Sequence, residues 1–330
     1  MTRRRPKVAI VGTRFRDFDI EREVLGDVEL SSGPGRNPTE ILEVATGADV
    51  ILAGAAPVFD AATLEELGCP AIVRLGVGVD GVDLDTARSL GMWVANVPDY
   101  GTEAVALHTV TLVLASLRRL TQADRQLRDG SWGVAGLRPL HLPASLTVGV
   151  VGLGRIGRRV AVMLNGIGFE RFLVADPVIE PADLKVALGD LDARLVELPE
   201  LLGGVDVVTL HAPPEAHGYL LGADQLPMMR EGSILVNTAR GALVDTGALV
   251  PALAEGRPAM AALDVFEREP PDVTVFESVS DRVILTPHMS WYTEESELAL
   301  RRQAAAEARR ILDSQRPLHP VVTPATAEVG

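Results

Sequence analysis

Arg240, Glu269 and His288 are side chains whose types suit chemistry on a carboxylic acid. Each follows an apolar run that predicts a β-strand, directly or after a short loop. An arginine offers a bidentate fork to a carboxylate and polarises the adjacent carbonyl. A histidinium donates a proton as hydride arrives at carbon, and a glutamate bonded to the histidine keeps it oriented and charged near neutral pH. Each of these residue types would have a role in the reduction of a 2-oxo acid.

Parallel strands are the elements that would position these residues. The carboxyl ends of neighbouring parallel strands meet at one crevice, so residues distant in sequence can come together there. Considered singly, each residue also has an ordinary structural interpretation. Arg240 could be a surface or capping arginine, Glu269 one of several loop acids, and His288 a hydrogen-bonded loop histidine. Considered one at a time, these residues leave both interpretations open.

A glycine-rich turn lies near the middle of the chain. The β-branched run 147–151 leads into Gly152, Gly154 and Gly157 with the spacing Gly-x-Gly-x-x-Gly, and apolar residues then recur at helical spacing. The first glycine makes the turn, the second lets the backbone approach a pyrophosphate, and the third lets helix and strand pack closely. The free N–H groups of the helix N-terminus face the phosphates. The pattern predicts a dinucleotide site, against the alternative of a plain strand-to-helix turn.

The next apolar run, 172–175, ends in Asp176. An acid at the end of the second strand of such a unit accepts hydrogen bonds from the adenosine ribose hydroxyls and repels a 2′-phosphate. The predicted cofactor is therefore NAD rather than NADP. No metal site is predicted.

The composition narrows the possible partners. A chain of 330 residues predicts two domains. The net charge of −14 argues against general attraction to nucleic acid or to an anionic membrane surface. The most apolar helical run, 104–117, is interrupted by polar residues and is shorter than a bilayer span. A single cysteine, Cys69, excludes an internal disulfide and fits a reducing compartment. We expect a cytoplasmic protein that binds neither nucleic acid nor membrane.

The first part of the chain alternates apolar runs with helical segments, which predicts a small parallel α/β unit without a dinucleotide turn of its own. Its glycine-containing loop at 75–83 follows a predicted strand, where open α/β sheets bind ligands. Backbone N–H groups in that loop could hold a carboxylate, although a tight strand-to-helix connection explains the loop equally well.

One long helix is predicted over 103–128, after a turn-rich boundary at 96–102. The helix is apolar on most faces, so it is buried between domains or in a subunit contact. We favour the second interpretation and expect a homodimer. A last helix is predicted over 294–314, and a proline-containing tail is expected to pack back on the first domain.

Three segments of the chain have residue patterns of the kind that identify a protein family. They are Asn237-Thr238-Ala239-Arg240-Gly241, Ala262-Leu263-Asp264-Val265-Phe266-Glu267-Arg268-Glu269-Pro270 and Thr286-Pro287-His288. With the glycine turn at 152–157 and the loop at 77–78, they resemble the D-isomer-specific 2-hydroxy-acid dehydrogenases over nearly the whole chain.

The resemblance implies an α/β fold of two Rossmann-like, doubly wound parallel-sheet domains with an active-site cleft between them. Residues 1–99 plus 293–330 would form a flavodoxin-like substrate domain, and residues 100–292 the NAD-binding Rossmann domain. The implied enzyme is an NAD-dependent oxidoreductase acting on the CH-OH group of a small D-2-hydroxy acid, working as a 2-oxo-acid reductase.

The resemblance also implies roles for single residues. Arg240 would bind substrate, Glu269 and His288 would be the acid–base pair with His288 as proton donor, and the amides of Val77 and Gly78 would hold the substrate carboxylate. Asp264 would lie near the nicotinamide. The implied NAD(H) contacts are Gly152, Gly154, Arg155, Ile156, Gly157, Asp176, His211, Thr238, Ala239, Asp264 and His288.

Residues 286–294 are similar to the C-terminal-binding-protein branch of the family. Trp291 stands where most members place a small residue, so the indole would narrow the substrate pocket and add an apolar wall; packing between domains is the alternative. Leu107 replaces a common acid, which would alter a subunit or interdomain contact.

Two other functions stay open on the same fold. One is an NADH-sensing, corepressor-like binding protein with little turnover. The other is a dehydrogenase with a phosphite-type donor. The Glu269 and His288 pair favours a hydroxy acid over formate, because hydride loss from formate needs no such proton acceptor, but it discriminates poorly against phosphite.

Overall fold

The computed structural model describes residues 4–13, 15–214 and 218–324. The strands are β1 (Lys7–Val11), β2 (Glu29–Gly33), β3 (Val50–Ala53), β4 (Ala71–Arg74), β5 (Trp93–Ala95), β6 (Thr147–Val151), β7 (Arg171–Ala175), β8 (Asp192–Leu195), β9 (Val207–Leu210), β10 (Ile234–Asn237), β11 (Met260–Leu263), β12 (Val283–Leu285) and β13 (Pro320–Val322). The α-helices are α1 (Asp19–Leu25), α2 (Pro38–Ala45), α3 (Ala61–Leu67), α4 (Leu84–Ser89), α5 (Thr102–Leu117), α6 (Leu120–Arg128), α7 (Arg155–Gly166), α8 (Pro181–Leu188), α9 (Leu198–Gly204), α10 (Thr246–Glu255) and α11 (Glu294–Leu312).

The chain divides into two compact units, one of Met1–Gly101 with Thr293–Gly330 and one of Thr102–Tyr292. The first unit contains a six-stranded sheet in the order β13-β5-β4-β3-β1-β2. Strands β1 to β5 are parallel, and their order is that of flavodoxin-like sheets. Its central strands are buried apolar runs, because helices cover both faces of such a sheet.

The C-terminal segment completes the first unit. Strand β13 pairs antiparallel with β5, so the tail packs on this unit as predicted. Helix α11 packs on α1, where the buried guanidinium of Arg301 makes two bonds to the buried carboxylate of Glu21, at 2.8 and 2.7 Å. A paired, fully bonded charge is the form in which an ion can be buried.

The second unit is a seven-stranded parallel sheet in the order β12-β11-β10-β9-β6-β7-β8. The direction of winding reverses between β6 and β9, which is the Rossmann arrangement, and ligands bind at the carboxyl ends of strands beside such a switch point. Separate apolar clusters contain residues of α5 and α7 and residues of α9 and α10. The two units confirm the predicted fold class of doubly wound parallel sheets.

The predicted long helix over 103–128 is wrong in one respect. It breaks after α5, because Arg119 adopts the left-handed conformation with φ of 48°, and α6 then continues at 54° to α5. The apolar faces of α5 are covered by α7, β10 and β11 of its own unit, so no second subunit is needed to explain them. Helix α6 buries none of its residues. In the described part of the chain no single helix is long and apolar enough to cross a membrane; α5 and α6 reach that length and composition only as a bent pair.

The sequence patterns missed four elements: α1, β2, β8 and β13. All three strands lie at a sheet edge, and β2 and β8 contain polar residues, Glu-Leu-Ser-Ser-Gly and Asp-Ala-Arg-Leu. Because an edge strand is covered less completely than a central one, it needs no continuous apolar run and gives a weak signal.

Candidate active site

The glycine turn lies between β6 and α7, and its geometry requires glycine at two positions. Gly152 has a φ of +89°, and a Cβ there would come within 2.7 Å of backbone atoms of His211 and Ala212. A Cβ on Gly157 would lie 2.2 Å from the carbonyl oxygen of Gly152. Gly154 faces open space, with no described atom within 4 Å of its would-be Cβ. The backbone at the N-terminus of α7 is therefore open to a phosphate group.

Asp176 at the end of β7 is held by this same turn. One carboxylate oxygen accepts the N–H of Leu153 at 2.7 Å, and the other accepts the N–H of Val178 at 2.9 Å. Each oxygen keeps a further lone pair for a hydroxyl donor. Arg155 and Ile156 are the first residues of α7, beside the open glycine. These features fit the pyrophosphate and ribose of NAD.

His211, Thr238 and Ala239 lie at the ends of β9 and β10, which are neighbours in the sheet. Burial lowers the pKa of His211 to about 3, so the ring is neutral, and its Nε2 lies 2.9 Å from the hydroxyl of Thr209. The hydroxyl of buried Thr238 lies 2.7 Å from that of Thr109 on α5. The N–H of Ala239 donates to the side chain of Asn237 at 3.0 Å. The ends of both strands are thus held in place from within the unit.

Glu269 and His288 form a direct pair. The Nδ1 atom of His288 lies 2.6 Å from Oε2 of Glu269. The hydrogen bond from Glu269 raises the pKa of His288 against the opposing effect of burial. Partial burial acts to raise the pKa of Glu269, but the hydrogen bond and charge of His288 outweigh it and lower that pKa. The N–H of Phe266 donates to the other glutamate oxygen at 3.1 Å and fixes the carboxylate.

The loop that carries His288 is held by Asp264. His288 has a φ of 49°, a conformation that costs energy for a residue with a side chain. The fully buried carboxylate of Asp264 accepts the hydroxyl of Thr286 at 2.6 Å and the N–H groups of Met289 and Ser290 at 3.0 and 2.8 Å. Its carbonyl accepts the N–H of His288 at 2.8 Å. Every one of these bonds goes to the segment 286–290, so the buried side chain of Asp264 acts on the position of His288.

Arg240 lies at the end of β10, close to the same loops. Its guanidinium donates to the carbonyl of Ala239 at 2.8 Å, and its charge acts to lower the pKa of His288. A Cβ on Gly241 would lie 1.9 Å from the backbone of Phe266, so this segment passes directly against the loop that carries Glu269. The structure therefore brings Arg240, Glu269 and His288 together at the carboxyl ends of neighbouring strands of the second sheet.

His108 on α5 is a residue of this site that the sequence did not reveal. Its Nε2 lies 3.2 Å from the hydroxyl of Thr286 and 3.7 Å from the carboxylate of Asp264. The ring therefore supports the loop of His288 from the helix side. Nothing in the spacing of a histidine on an apolar helix indicates a partner so distant in sequence.

Val77 and Gly78 lie in the first unit, in the loop that follows β4, and Val77 is 41% exposed. Trp291 follows the His288 loop in the second unit, with its ring centroid 5.6 Å from that of Tyr292 in an edge-on arrangement. Arg74, at the end of β4, is buried and bonded to backbone carbonyls of its own unit.

A Rossmann-type unit with a glycine turn, a ribose-type acid and a histidine–glutamate pair defines a dinucleotide-dependent oxidoreductase class. Comparison with known proteins narrows the class. Residues 110–290 match the family described as D-isomer specific 2-hydroxyacid dehydrogenase, NAD binding domain. The chain belongs to this family. The match confirms the predicted family and NAD as the cofactor.

Individual relatives differ in substrate. The chain is 35% identical to a D-3-phosphoglycerate dehydrogenase of Methanocaldococcus jannaschii over 88% of its own length and 54% of that protein. It is 37% identical to a glyoxylate reductase of Aeropyrum pernix over 71% of its length and 70% of that protein. The structure of apo D-lactate dehydrogenase from Escherichia coli superposes with a TM-score of 0.81 at 29% identity, over 96% of this chain and 100% of that one. The chain thus spans about half the length of the phosphoglycerate dehydrogenases it matches.

Proposed function

We propose that the protein is an NAD-dependent D-2-hydroxy-acid dehydrogenase that works as a 2-oxo-acid reductase. The observation that carries the proposal is the 2.6 Å contact between His288 and Glu269 beside Arg240, in the unit that belongs to an NAD-binding family. A histidine held charged by a carboxylate is a proton donor near neutral pH.

The cofactor supplies a hydride to the substrate carbonyl carbon in reduction and accepts it in oxidation. The residues that would hold it are those of the glycine turn with Asp176, together with the ends of β9 and β10. Because both oxygens of Asp176 are fixed by backbone N–H groups, its charge stays where a ribose hydroxyl can bond and where a 2′-phosphate would be repelled.

The side chains then complete the reaction. Arg240 binds the substrate carboxylate and polarises the carbonyl oxygen. His288 donates the proton on Nε2 to that oxygen, which becomes the hydroxyl of the product, and Glu269 on Nδ1 stabilises the charged ring before transfer. In the reverse direction the neutral His288 removes the hydroxyl proton. One hydride and one proton are thus added to the 2-oxo acid, and the ring is recharged from solvent.

The substrate is proposed to be a small 2-oxo acid whose carboxylate also binds the amides of Val77 and Gly78. In this proposal residues 1–99 plus 293–330 act as the substrate domain and residues 100–292 as the NAD domain. The relatives act on phosphoglycerate, glyoxylate and lactate, so the family admits varied side chains. We propose Trp291 as an apolar wall that favours an uncharged, bulky side chain over a phosphorylated one.

We further propose a homodimer in the cytoplasm. The support for the dimer is the number of large apolar side chains exposed on α6 and on the segment after it, among them Trp132 at 90% and Leu142 at 73% exposure. Exposed apolar patches are typical of interaction sites. A lone, buried cysteine, Cys69, fits a reducing compartment.

Loss of NADH absorbance with a panel of 2-oxo acids tests the function. The panel contains small, aromatic, thioether and phosphorylated side chains, and His288→Ala is compared with His141→Ala, which removes an exposed histidine elsewhere. We expect turnover that only the first variant abolishes. Tight NADH binding without turnover on any acid would overturn the proposal and favour a nucleotide-sensing protein. NADH formation from NAD with phosphite, and with no hydroxy acid, would favour the phosphite-type dehydrogenase instead.

A further inference from the structure

In the loop 76–79 of the first unit, three successive carbonyl groups each accept a hydrogen bond. The carbonyl of Gly76 accepts the N–H of Val97 at 3.0 Å, and the carbonyl of Val77 accepts the side-chain amide of Asn96 at 2.7 Å. Val97 is fully buried, and Asn96 is half-buried at the end of β5. Two donors from one strand end therefore hold two successive peptide groups.

The next carbonyl is held from β4. Nε of buried Arg74 donates to the carbonyl of Gly78 at 3.3 Å, and its two other nitrogens donate to the carbonyls of Gly54 and Ala55, the latter also at 3.3 Å. One guanidinium thus joins the loop after β3 to the loop after β4. A lysine cannot reproduce these contacts, because it lacks the planar fork.

A held carbonyl also sets the direction of the next N–H group. Since the peptide group is planar and trans, the N–H points away from the carbonyl of the same group. The N–H groups of Val77, Gly78 and Val79 therefore point away from the donors that hold the three carbonyls. Among the described residues, none of these three N–H groups has an acceptor.

We propose that Asn96 and Arg74 are positioning residues that orient the amides of residues 77–79 toward the substrate carboxylate, with Val79 as a third donor. This rests on the proposed function, which assigns the carboxylate to this loop. Successive free N–H groups form the concave backbone sites that bind anions. The guanidinium of Arg74 donates to the carbonyl of Gly78 and so polarises the peptide group that also contains the N–H of Val79. This N–H thereby becomes a stronger donor to an anion.

Asn96 also links this loop to the end of the chain. Its own N–H donates to the carbonyl of His319 at 3.2 Å, just before β13, whose Pro320 is paired with Ala95. The strand added by the C-terminal segment thus fixes the backbone from which the Asn96 amide reaches Val77. The position of the loop depends on pairing that forms only when the last part of the chain is in place.

Asn96→Ala tests the proposal against Asn165→Ala. The control removes a matched contact, because the Asn165 amide also bonds a backbone carbonyl, that of Phe169 at 3.0 Å, in the second unit. For the best 2-oxo acid we expect Asn96→Ala to raise KM about three- to tenfold, the range for one lost neutral hydrogen bond. The kcat value and the Kd for NADH should change less than about twofold, and the control should match the wild type.

Arg74→Lys is the second variant, for the case that Asn96→Ala does not fold. We expect the same rise in KM without a fall in kcat. An unchanged KM in both variants, or a loss of kcat alone, would overturn the positioning role while leaving the dehydrogenase intact.

Oxalate binding separates this proposal from the proposed function. With NADH present, oxalate should slow amide hydrogen exchange in the peptide spanning 76–80 in the wild type and less in Asn96→Ala. If oxalate protects this peptide in a protein that reduces no 2-oxo acid, the result would support carboxylate binding by the loop and refute the proposed dehydrogenase activity. If oxalate gives no protection in an active enzyme, the result would refute carboxylate binding by the loop.

Discussion

Replacing Glu269 by glutamine removes the negative charge beside His288 and keeps the shape of the side chain. The bond joins two charged groups at 2.6 Å, with 37% of the glutamate and 41% of the histidine side chain exposed. Hydrogen bonds to charged groups contribute about 1.5–3 kcal/mol. Solvent screening at this exposure reduces the contribution to about 1–2 kcal/mol. That energy corresponds to about a five- to thirtyfold lower proton affinity of the imidazole.

The predicted loss of activity depends on pH. Because Glu269 raises the pKa of His288, the variant histidine loses its proton at lower pH than the wild-type residue. Well above the ordinary histidine pKa of about 6.5, the reduction rate should fall about five- to thirtyfold. At low pH, where the ring is charged in both proteins, the loss should shrink. Oxidation of the hydroxy acid needs the neutral ring, so at low pH the variant, whose ring loses its proton more readily, should oxidise the hydroxy acid faster than the wild type.

Initial rates of NADH consumption from pH 5 to 9 measure this effect. Glu267→Gln is the matched control, since Glu267 lies on the same loop but its carboxylate accepts the N–H of Thr246 instead of bonding His288. The control should retain the wild-type profile. An equal loss at every pH would refute the electrostatic role of Glu269 and leave only a structural one.

Three other variants are expected to act on separate parts of the protein. Asp176→Ala should reduce the preference for NADH over NADPH about tenfold or more, the worth of hydrogen bonds to a charged group; equal Kd ratios by fluorescence titration would contradict the ribose assignment. Asp264→Ala should lower the free energy of unfolding by about 3 kcal/mol, because three donors lose a buried acceptor; unchanged urea denaturation would contradict this. Trp132→Ser should weaken the proposed homodimer in sedimentation at micromolar concentration, and a monomeric wild type would remove the dimer altogether.

Much of the second unit could be predicted from its sequence, because its central strands are apolar runs and each is followed by a distinctive segment. The glycine turn, Asp176 and the segment around Arg240 all occur at strand ends, where a parallel sheet collects its functional residues. The pairing of His288 with Glu269 follows the same logic.

The contacts that hold these residues could not be predicted in the same way. The break at Arg119 depends on the backbone conformation of one residue, and no glycine or proline at that position indicates it in the sequence. The contact of His108 with Thr286, and that of Asn96 with Val77, join residues that meet only after the sheets have formed. Periodicity reports which face of an element is buried, but not which partner a polar group on that face finds.

Two carboxylates act on His288, and their burial separates what they do. Asp264 has no exposed surface, and its side chain bonds the backbone and a hydroxyl of the loop, so its charge is used to hold a strained conformation. Glu269 is partly exposed and bonds the ring itself, so its charge is used to set the proton affinity. Loss of Asp264 should therefore lower activity at every pH through the position of the ring. Loss of Glu269 should change mainly the pH at which the ring is charged. Both charges act to raise the pKa of His288, but the hydrogen bond from Glu269 is the largest cause, and only Glu269 bonds the ring that carries the transferred proton.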